Sequence, residues 1–172
     1  MKKQQDLHEI LTRDLFGAVK VAVLGIGSDL RADDVAGMLI AQQLGSKIKR
    51  SAKLKKHVKI FLGNTAPENI TGDIKSYKPS HLVLIDSCDM NKKAGGIGII
   101  RPEDIGGITF STHQLPLKII VDYMQRSINC EIIILGIQPK VLKFGLKPSK
   151  EVLKTAKELS NALFNAIKSA IK

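Results

Sequence analysis

Five short runs of apolar, largely β-branched residues are spaced along the chain and predict β-strands. They read VKVAVLGIG, HVKIFLG, HLVLIDS, GIGII and EIIILGI, and each is bounded by Gly, Pro, Asn or Ser, as strands commonly are. Their apolar positions are nearly continuous, which is typical of strands that are covered on both faces. The pattern therefore predicts a sheet that lies between two layers of helices.

Segments with apolar residues at helical spacing separate these runs and predict amphipathic helices. Asp33 is predicted to cap one helix, and Thr65 to cap another that has Pro67 in its first turn. The longest helix is predicted over 149–171, with its lysines opposite the apolar stripe. The predicted apolar faces consist of Leu7, Ile10, Leu11 and Leu15; Val35, Met38, Leu39 and Leu44; Leu117, Ile120, Val121 and Met124; and Val152, Leu153, Ala156, Leu159, Leu163, Phe164, Ile167 and Ile171.

Strands that alternate with helices predict an α/β fold. We expect a three-layer α/β/α arrangement around a twisted, mostly parallel sheet of about five strands. The 172 residues suit a single domain over 1–172, because a chain of this length can bury a core of its own. No internal repeat or linker interrupts the pattern.

Composition narrows the class of protein. Hydrophobic residues make up 44% of the chain and charged residues 25%, which is ordinary for a globular protein. No run approaches the ~20 apolar residues that a membrane span needs. The first segment, MKKQQDLHEILTRDLFG, lacks the continuous apolar centre of a signal peptide. We therefore expect a protein without membrane insertion that works in the cytoplasm.

The net charge of +11 makes nucleic acid the first partner to consider. However, the lysines are scattered, only 4% of the residues are aromatic and no DNA- or RNA-binding motif is present. We expect no nucleic-acid partner. A basic surface also suits an acidic protein partner, and the charge alone does not choose between a solvated surface and such a partner.

The stretch GIGSDLRADDVAG follows the first predicted strand and has the outline of a phosphate-binding loop. The dinucleotide fingerprint G-x-G-x-x-G lacks its third glycine, because Leu30 occupies that position. Asp29 and Asp33 would also repel a pyrophosphate at the N-terminus of a helix. These features disfavour a nucleotide-dependent oxidoreductase. The motifs G-x-S-x-G and H-E-x-x-H are absent as well, which disfavours α/β-hydrolase and zincin chemistry.

Polar residues follow several of the predicted strands, where a parallel sheet binds its ligands. Asp34 follows the first strand, Asp86 ends the third, His113 precedes a helix and Gln138 follows the last strand. Two carboxylates and an imidazole form a reasonable divalent-metal site with positions left for a substrate. Each residue also has a simpler explanation, namely a helix cap, a contact with a loop amide, or a structural histidine.

The two cysteines, Cys88 and Cys130, form neither a CxxC pair nor a zinc-binding spacing. They are most simply explained as buried thiols. The alternative for Cys88 is a reactive thiol, because this cysteine stands two residues after Asp86.

Five segments in order, GIGSDLRADDVAG, GNTAPENI, LVLIDSCDM, STHQLPL and LGIQP, resemble the maturation endopeptidases of nickel-iron hydrogenases. The resemblance is strongest to the branch that processes the large subunit of the formate-hydrogenlyase hydrogenase. It implies an endopeptidase that removes a C-terminal extension from the nickel-loaded precursor of a hydrogenase large subunit. The alternative is a non-catalytic, nickel-dependent chaperone of the same subunit, which would need the same residues without cleavage.

The resemblance also implies the site residues. Asp34, Asp86 and His113 are expected to contact the metal, and the two aspartates are also the expected catalytic residues. The metal is expected to be nickel that the substrate supplies, although another divalent ion could occupy the isolated protein. The partner is the large-subunit precursor, and we expect a monomeric enzyme. Ser28 and Val35 depart from the family pattern, in which asparagine and glycine are usual.

Overall fold

The computed structural model describes residues 2–107, 109–110 and 117–171. Strands and helices alternate along the chain, joined in places by short 3-10 turns at Ala32–Val35, Pro67–Ile70 and Pro102–Gly107. The helices are α1 (Lys2–Asp14), α2 (Ala36–Lys49), α3 (Leu54–His57), α4 (Thr71–Tyr77), α5 (Leu117–Ser127) and α6 (Lys150–Ala170), and the strands are β1 (Val21–Ile26), β2 (Val58–Asn64), β3 (His81–Asp89), β4 (Ile97–Ile100), β5 (Thr109–Phe110) and β6 (Glu131–Ile137).

The five predicted strands form one sheet in the order β2-β1-β3-β6-β4. The first four strands in this order are parallel, and β4 runs antiparallel to β6 at the edge. The prediction of a mostly parallel sheet of about five strands is confirmed. The pattern does not predict β5, which has two residues and pairs antiparallel with the end of β3.

Both faces of the sheet are buried, and side chains alternate between them as the twofold period of a strand requires. In β1, Val21 and Val23 contribute to the core beneath α1, α2 and α6, whereas Ala22 and Leu24 contribute to the core beneath α4 and α5. The predicted three-layer arrangement is therefore confirmed. Strands covered on both faces explain the nearly continuous apolar runs.

The predicted helix faces agree with the packing, with a few corrections. The four predicted residues of α5 are its buried residues, and the side chain of Ser149 caps α6 by accepting a hydrogen bond from the Val152 N–H. Leu153 was assigned wrongly to the buried stripe, because it lies on the exposed side of α6. Thr65 is not a cap, since the turn that starts at Pro67 is preceded by Ala66 and has no side-chain cap. Among the described residues, no helix is both long and apolar enough to cross a bilayer.

Candidate active site at the carboxyl edge of the sheet

The strand order creates a natural crevice between β1 and β3. From β1 the chain passes through α2 on one face to β2, and from β2 through α4 on the other face to β3, on the opposite side of β1. Connections that leave in opposite directions open the sheet at its carboxyl edge, and ligands of such folds bind there. Asp34 follows β1 and Asp86 lies near the end of β3, so both belong to this edge.

Two glycines allow the loop after β1 to lie directly on the sheet. Gly27 has a φ of +142°, and a Cβ at this position would overlap the carbonyl oxygen of Asp34. A Cβ on Gly37 would overlap the carbonyl oxygens of Ile26 and Ile85, the last residues before Gly27 and Asp86. The first turn of α2 is therefore in contact with the ends of both strands. This packing explains the glycines that first suggest a phosphate loop.

Asp34 is fully buried in the 3-10 turn that leads into α2, and this turn contacts β3. A buried carboxylate is stabilised by nearby positive charge or by hydrogen bonds. One source is Arg31, whose guanidinium nitrogen lies 4.0 Å from Asp34 Oδ2. The N-terminal end of α2 supplies a second, because the helix dipole is positive there.

Asp33, the neighbouring aspartate, is also fully buried but has a structural role. Its Oδ2 accepts hydrogen bonds from the backbone N–H groups of Lys140 at 2.7 Å and Val141 at 3.1 Å, and its Oδ1 accepts one from Ser149 at 2.6 Å. The prediction that Asp33 caps α2 is wrong, since α2 begins after Val35 and has no side-chain cap. The two adjacent aspartates therefore have different partners, and Asp33 fixes the loop between β6 and α6.

Asp86 is fully buried near the carboxyl end of β3. Its Oδ1 accepts a hydrogen bond of 2.7 Å from the backbone N–H of Ser87, which orients the carboxylate at the strand end. The backbone of Asp86 pairs with Gly136 of β6, so its position is set by the centre of the sheet rather than by a loop. This support holds the carboxylate in a fixed position at the edge of the sheet.

His113, the third expected metal contact, lies outside the described residues. Among the residues that the structure describes, no group of three His, Cys, Asp or Glu side chains is arranged to hold a metal ion. The other two expected metal contacts, Asp34 and Asp86, are both buried carboxylates at the edge of the sheet where a ligand is expected.

Gln138 follows β6, and its side chain is hydrogen-bonded to the end of β3 and to the segment that follows it. Its Oε1 accepts hydrogen bonds from the backbone N–H groups of Met90 at 2.7 Å and Lys92 at 3.2 Å, and its Nε2 donates to Asp89 Oδ1 at 3.1 Å. The bonds from Asn91 N–H and from Gln138 lower the pKa of Asp89. Gln138 therefore holds the segment after β3 against the end of β6.

Cys88 is not a candidate nucleophile. The side chain is fully buried against Gly136, and this burial, together with the negative charges of Asp86 and Asp89, raises the pKa of the thiol to about 12. Because the thiolate is the reactive form of cysteine, Cys88 stays protonated and inert at neutral pH. The simpler explanation from the sequence, a buried thiol, is confirmed.

The two departures from the family pattern fit the loop without strain. Ser28 Oγ accepts a hydrogen bond of 3.3 Å from the Leu30 N–H and so closes the turn. Val35 has φ −69° and ψ −5°, in the right-handed region that a β-branched residue readily adopts. The loop therefore keeps both aspartates in place without a glycine at position 35.

A groove lined by residues of the acidic loop is not predicted by the sequence. It has a volume of about 420 Å³ and lies between residues 29–30 and residues 144–148. Arg31 reaches its wall, with the guanidinium carbon 5.2 Å from the centre of the Phe144 ring. The signal in the sequence is the presence of Phe144 and Leu146 in the segment VLKFGLKP, which lies outside any helical or strand pattern. The groove forms only because this segment lies against Leu30, which is more than 100 positions away in the chain.

Comparisons with known proteins decide the family. The sequence profile of the HycI family, described as a hydrogenase maturation protease, matches residues 42–166. The chain belongs to the HycI family of hydrogenase maturation proteases. The predicted resemblance is thereby confirmed, and the protein is a peptidase. The matched range contains Asp86 and His113 and begins after Asp34.

Individual relatives of this maturation protease agree with the profile. The chain is 37% identical to a Methanocaldococcus jannaschii protein named as a hydrogenase maturation protease, over 94% of this chain and 96% of the relative. It is 34% identical to the hydrogenase 3 maturation protease of Escherichia coli, over 77% of this chain and 83% of the relative. The crystal structure of the [NiFe] hydrogenase maturation protease HycI from Thermococcus kodakarensis superposes with a TM-score of 0.82 at 28% identity, covering 92% of this chain and 99% of the other.

Proposed function

We propose that this protease removes a C-terminal extension from the nickel-loaded precursor of a [NiFe] hydrogenase large subunit, and that the substrate's nickel is its recognition element. The observation that carries the proposal is the pair of fully buried carboxylates, Asp34 after β1 and Asp86 near the end of the neighbouring strand β3, in a maturation protease. Carboxylates that are held rigidly beside a crevice can bind a cation and can also accept a proton.

In this proposal, Asp34, Asp86 and His113 contact the nickel that arrives with the precursor. Oxygen and imidazole ligands suit a divalent ion of this kind. A precursor without nickel would offer the two carboxylates no metal to bind and would therefore bind more weakly than the nickel-loaded precursor. Nickel-dependent binding would thus restrict processing to subunits that already contain nickel. The isolated protein could hold another divalent ion at the same residues.

Two routes are available for attack of water on the scissile carbonyl. A carboxylate, Asp34 or Asp86, can act as a general base and take a proton from the water. Alternatively, the metal can act as a Lewis acid that polarises the carbonyl or the water. The routes differ in their dependence on the metal, because only the second changes directly with the Lewis acidity of the ion.

The cellular setting of the proposal follows from its substrate. We propose that the enzyme acts as a monomer of one domain over 1–172, since it must dock against a larger protein. We place the reaction in the cytoplasm, where the two free cysteines, Cys88 and Cys130, would remain reduced. Neither nucleic acid nor a membrane takes part.

The test is a cleavage assay on the large-subunit precursor of the same organism, with and without nickel, read by intact mass. The wild-type protein is expected to release a C-terminal peptide only from the nickel-loaded precursor. Asp34→Asn and Asp86→Asn are expected to remain folded by circular dichroism and to lose this activity. Asp73→Asn, an exposed aspartate in the first turn of α4, is the matched control and should cleave normally.

The outcomes separate the alternatives. Normal processing by both variants would overturn the assignment of Asp34 and Asp86. Nickel-dependent binding without cleavage by the wild-type protein would favour the chaperone. Equal cleavage of nickel-free precursor would leave a protease in place but remove nickel as its recognition element.

A further inference from the structure

Three apolar side chains form an exposed cluster beside the acidic loop. Leu30 is 65% exposed, Phe144 is 71% exposed and Leu146 is 50% exposed, and all three line the groove between residues 29–30 and 144–148. Exposed apolar side chains gathered around a concavity mark interaction sites. On a chain with a net charge of +11, a cluster of this kind requires an explanation.

The groove is held in shape by the backbone. The N–H of Gly145 donates a hydrogen bond of 3.0 Å to the carbonyl oxygen of Leu30, which ties the two walls together. Behind them, the buried carboxylate of Asp33 holds the backbone of Lys140 and Ser149, on either side of the loop. A preorganised surface loses little conformational entropy when a partner binds. The cluster is therefore built into the fold and does not depend on a loose loop.

One residue, Arg31, connects the groove with the candidate active site. The guanidinium of Arg31 lies over the ring of Phe144 at 5.2 Å and within 4.0 Å of Asp34 Oδ2. A chain that lies in the groove would consequently come within reach of Arg31, the residue that pairs with the buried carboxylate of Asp34. Because a maturation protease acts on another protein, the surface that adjoins its reacting carboxylate is the surface that the substrate covers.

The charges around the groove indicate the chemistry of its occupant. Lys143 and Lys147 are exposed and flank Phe144 and Leu146 along the chain. Lys147 lines the groove and Asp29 lies on the opposite wall. The basic wall at 143–148 complements an apolar segment with acidic neighbours on that side. Aromatic and arginine side chains, here Phe144 and Arg31, are also the types that contribute most binding energy in protein interfaces.

We propose that this groove docks an extended apolar segment of the hydrogenase large-subunit precursor, flanked by acidic residues, next to the bond that is cleaved. The inference rests on the proposed function, because it takes the precursor as the substrate. It adds the residues that recognise the precursor independently of nickel: Leu30, Phe144 and Leu146. It also gives Arg31 a place between the docked segment and Asp34.

The test measures binding of the nickel-loaded precursor to Phe144→Ser, Leu30→Ser and Leu146→Ser proteins. These side chains are largely exposed, so their replacement should leave the thermal midpoint nearly unchanged. The matched control is Phe16→Ser, because Phe16 is 82% exposed and lies between α1 and β1, at the opposite edge of the sheet. Phe144→Ser is expected to raise the Kd about tenfold or more, as a central interface aromatic does, while Phe16→Ser stays within about twofold of wild type.

Kinetics supply the second readout. With Leu30→Ser and Leu146→Ser, which leave the Arg31 contact intact, KM is expected to rise while kcat at saturating precursor stays near the wild-type value, since uniform binding is lost. Unchanged Kd and KM in all three groove variants would overturn the inference. Loss of self-association in Phe144→Ser, with precursor binding unchanged, would assign the groove to a second copy of this chain and would overturn it too.

The same experiments test the proposed function separately from the docking inference. If the wild-type protein binds the precursor and does not cleave it, the endopeptidase assignment to this substrate fails, while the groove is still judged by the binding series. If the wild-type protein does not bind the nickel-loaded precursor at all, the proposed function and the docking inference are both overturned.

Discussion

The carboxylate of Asp33 accepts a 2.6 Å hydrogen bond from the backbone N–H of Ser149, a residue 116 positions further along the chain. The same side chain accepts the N–H groups of Lys140 and Val141. One buried aspartate therefore fixes the loop after β6, the start of α6 and the groove wall between them. Its neighbour Asp34 faces Arg31 instead. Two adjacent and chemically identical residues thus differ in their surroundings, because the folded chain gives them different partners.

Replacing Asp33 with asparagine should destabilise the protein. An amide is close in size, but its nitrogen would face a backbone N–H and its oxygen cannot replace a charged acceptor of three bonds. We expect a loss of about 2–4 kcal/mol in the free energy of unfolding, since buried hydrogen bonds to a charged group contribute about 1.5–3 kcal/mol each. Urea unfolding followed by circular dichroism measures this loss.

The control for this substitution is Asp29→Asn, an exposed position in the same loop, which should change stability by less than about 0.5 kcal/mol. Hydrogen exchange gives a local readout, because the amides of Lys140, Val141 and Ser149 should lose protection in Asp33→Asn. Unchanged stability together with retained protection of these amides would show that Asp33 does not anchor the loop.

A methyl group on Gly37 should disturb both strand ends. The new Cβ of Gly37→Ala would overlap the carbonyl oxygens of Ile26 and Ile85, and backbone atoms cannot move aside as a flexible side chain can. We expect destabilisation of about 2 kcal/mol or more from this overpacking, and reduced precursor cleavage because α2 would shift away from β3. Thermal unfolding and the cleavage assay measure the two effects.

Gly72→Ala is the matched substitution. Gly72 is a helical glycine in α4 with no atom within 4 Å of the position of a new Cβ. Alanine there should be neutral or stabilising by up to about 1 kcal/mol, because it lowers the entropy of the unfolded chain. Equal stability of the Gly37→Ala and Gly72→Ala proteins would contradict the packing of α2 on the strand ends.

Arg31 should compete with a metal ion for Asp34. The guanidinium lies 4.0 Å from Asp34 Oδ2 and is partly exposed, so its effect is smaller than that of a fully buried charge. Arg31→Gln is expected to strengthen binding of Ni²⁺ to the free protein by about tenfold, within the range expected for unit charges at this separation. Isothermal calorimetry with Ni²⁺ alone measures this change without any cleavage.

Two variants make the metal titration decisive. Arg126→Gln removes the same charge from an exposed position on α5 and should leave Ni²⁺ affinity unchanged. Asp34→Asn should weaken Ni²⁺ binding whether or not Arg31 is present. If Arg31→Gln and Arg126→Gln bind Ni²⁺ equally, Arg31 does not balance the charge of Asp34 at this site.

The two cysteines should differ in reactivity. Burial and two neighbouring aspartates raise the pKa of Cys88 to about 12, whereas Cys130 is only partly buried, although burial raises its pKa as well. Iodoacetamide at pH 8 is expected to modify native protein once, at Cys130, and denatured protein twice. Intact mass with peptide mapping measures the adducts, and equal modification of both residues in the native protein would contradict the buried position of Cys88.

The raised pKa of Cys88 also gives stability a pH dependence. In the unfolded chain a cysteine loses its proton near pH 8.5, while in the folded protein Cys88 keeps it up to about pH 12. The folded state binds more protons between these values, so the free energy of unfolding should fall with rising pH by up to about 1.4 kcal/mol per unit. Cys88→Ala should remove this part of the slope, which urea unfolding at pH 8, 9 and 10 would show.

The apolar pattern by itself determines the elements and the layers. Runs such as EIIILGI are apolar on both faces of the strand, and the face of α5 that contains Leu117, Ile120, Val121 and Met124 repeats with the helical period. Burial of such faces is the dominant favourable term in folding, so periodicity is enough to predict an α/β/α sandwich. The positions of Asp34 after β1 and of Asp86 near the carboxyl end of β3 follow from the same pattern.

What the pattern does not determine is which loops meet. The apolar pattern does not give the partners of the adjacent residues Asp33 and Asp34, and only the sheet order β2-β1-β3-β6-β4 brings the loop after β6 against one of them. The groove of Leu30, Phe144 and Leu146 and the contacts of Arg31 arise in the same way. Periodic burial is a local property that each segment has alone, whereas hydrogen bonds and ion pairs between strand-end loops exist only after the strands have been ordered.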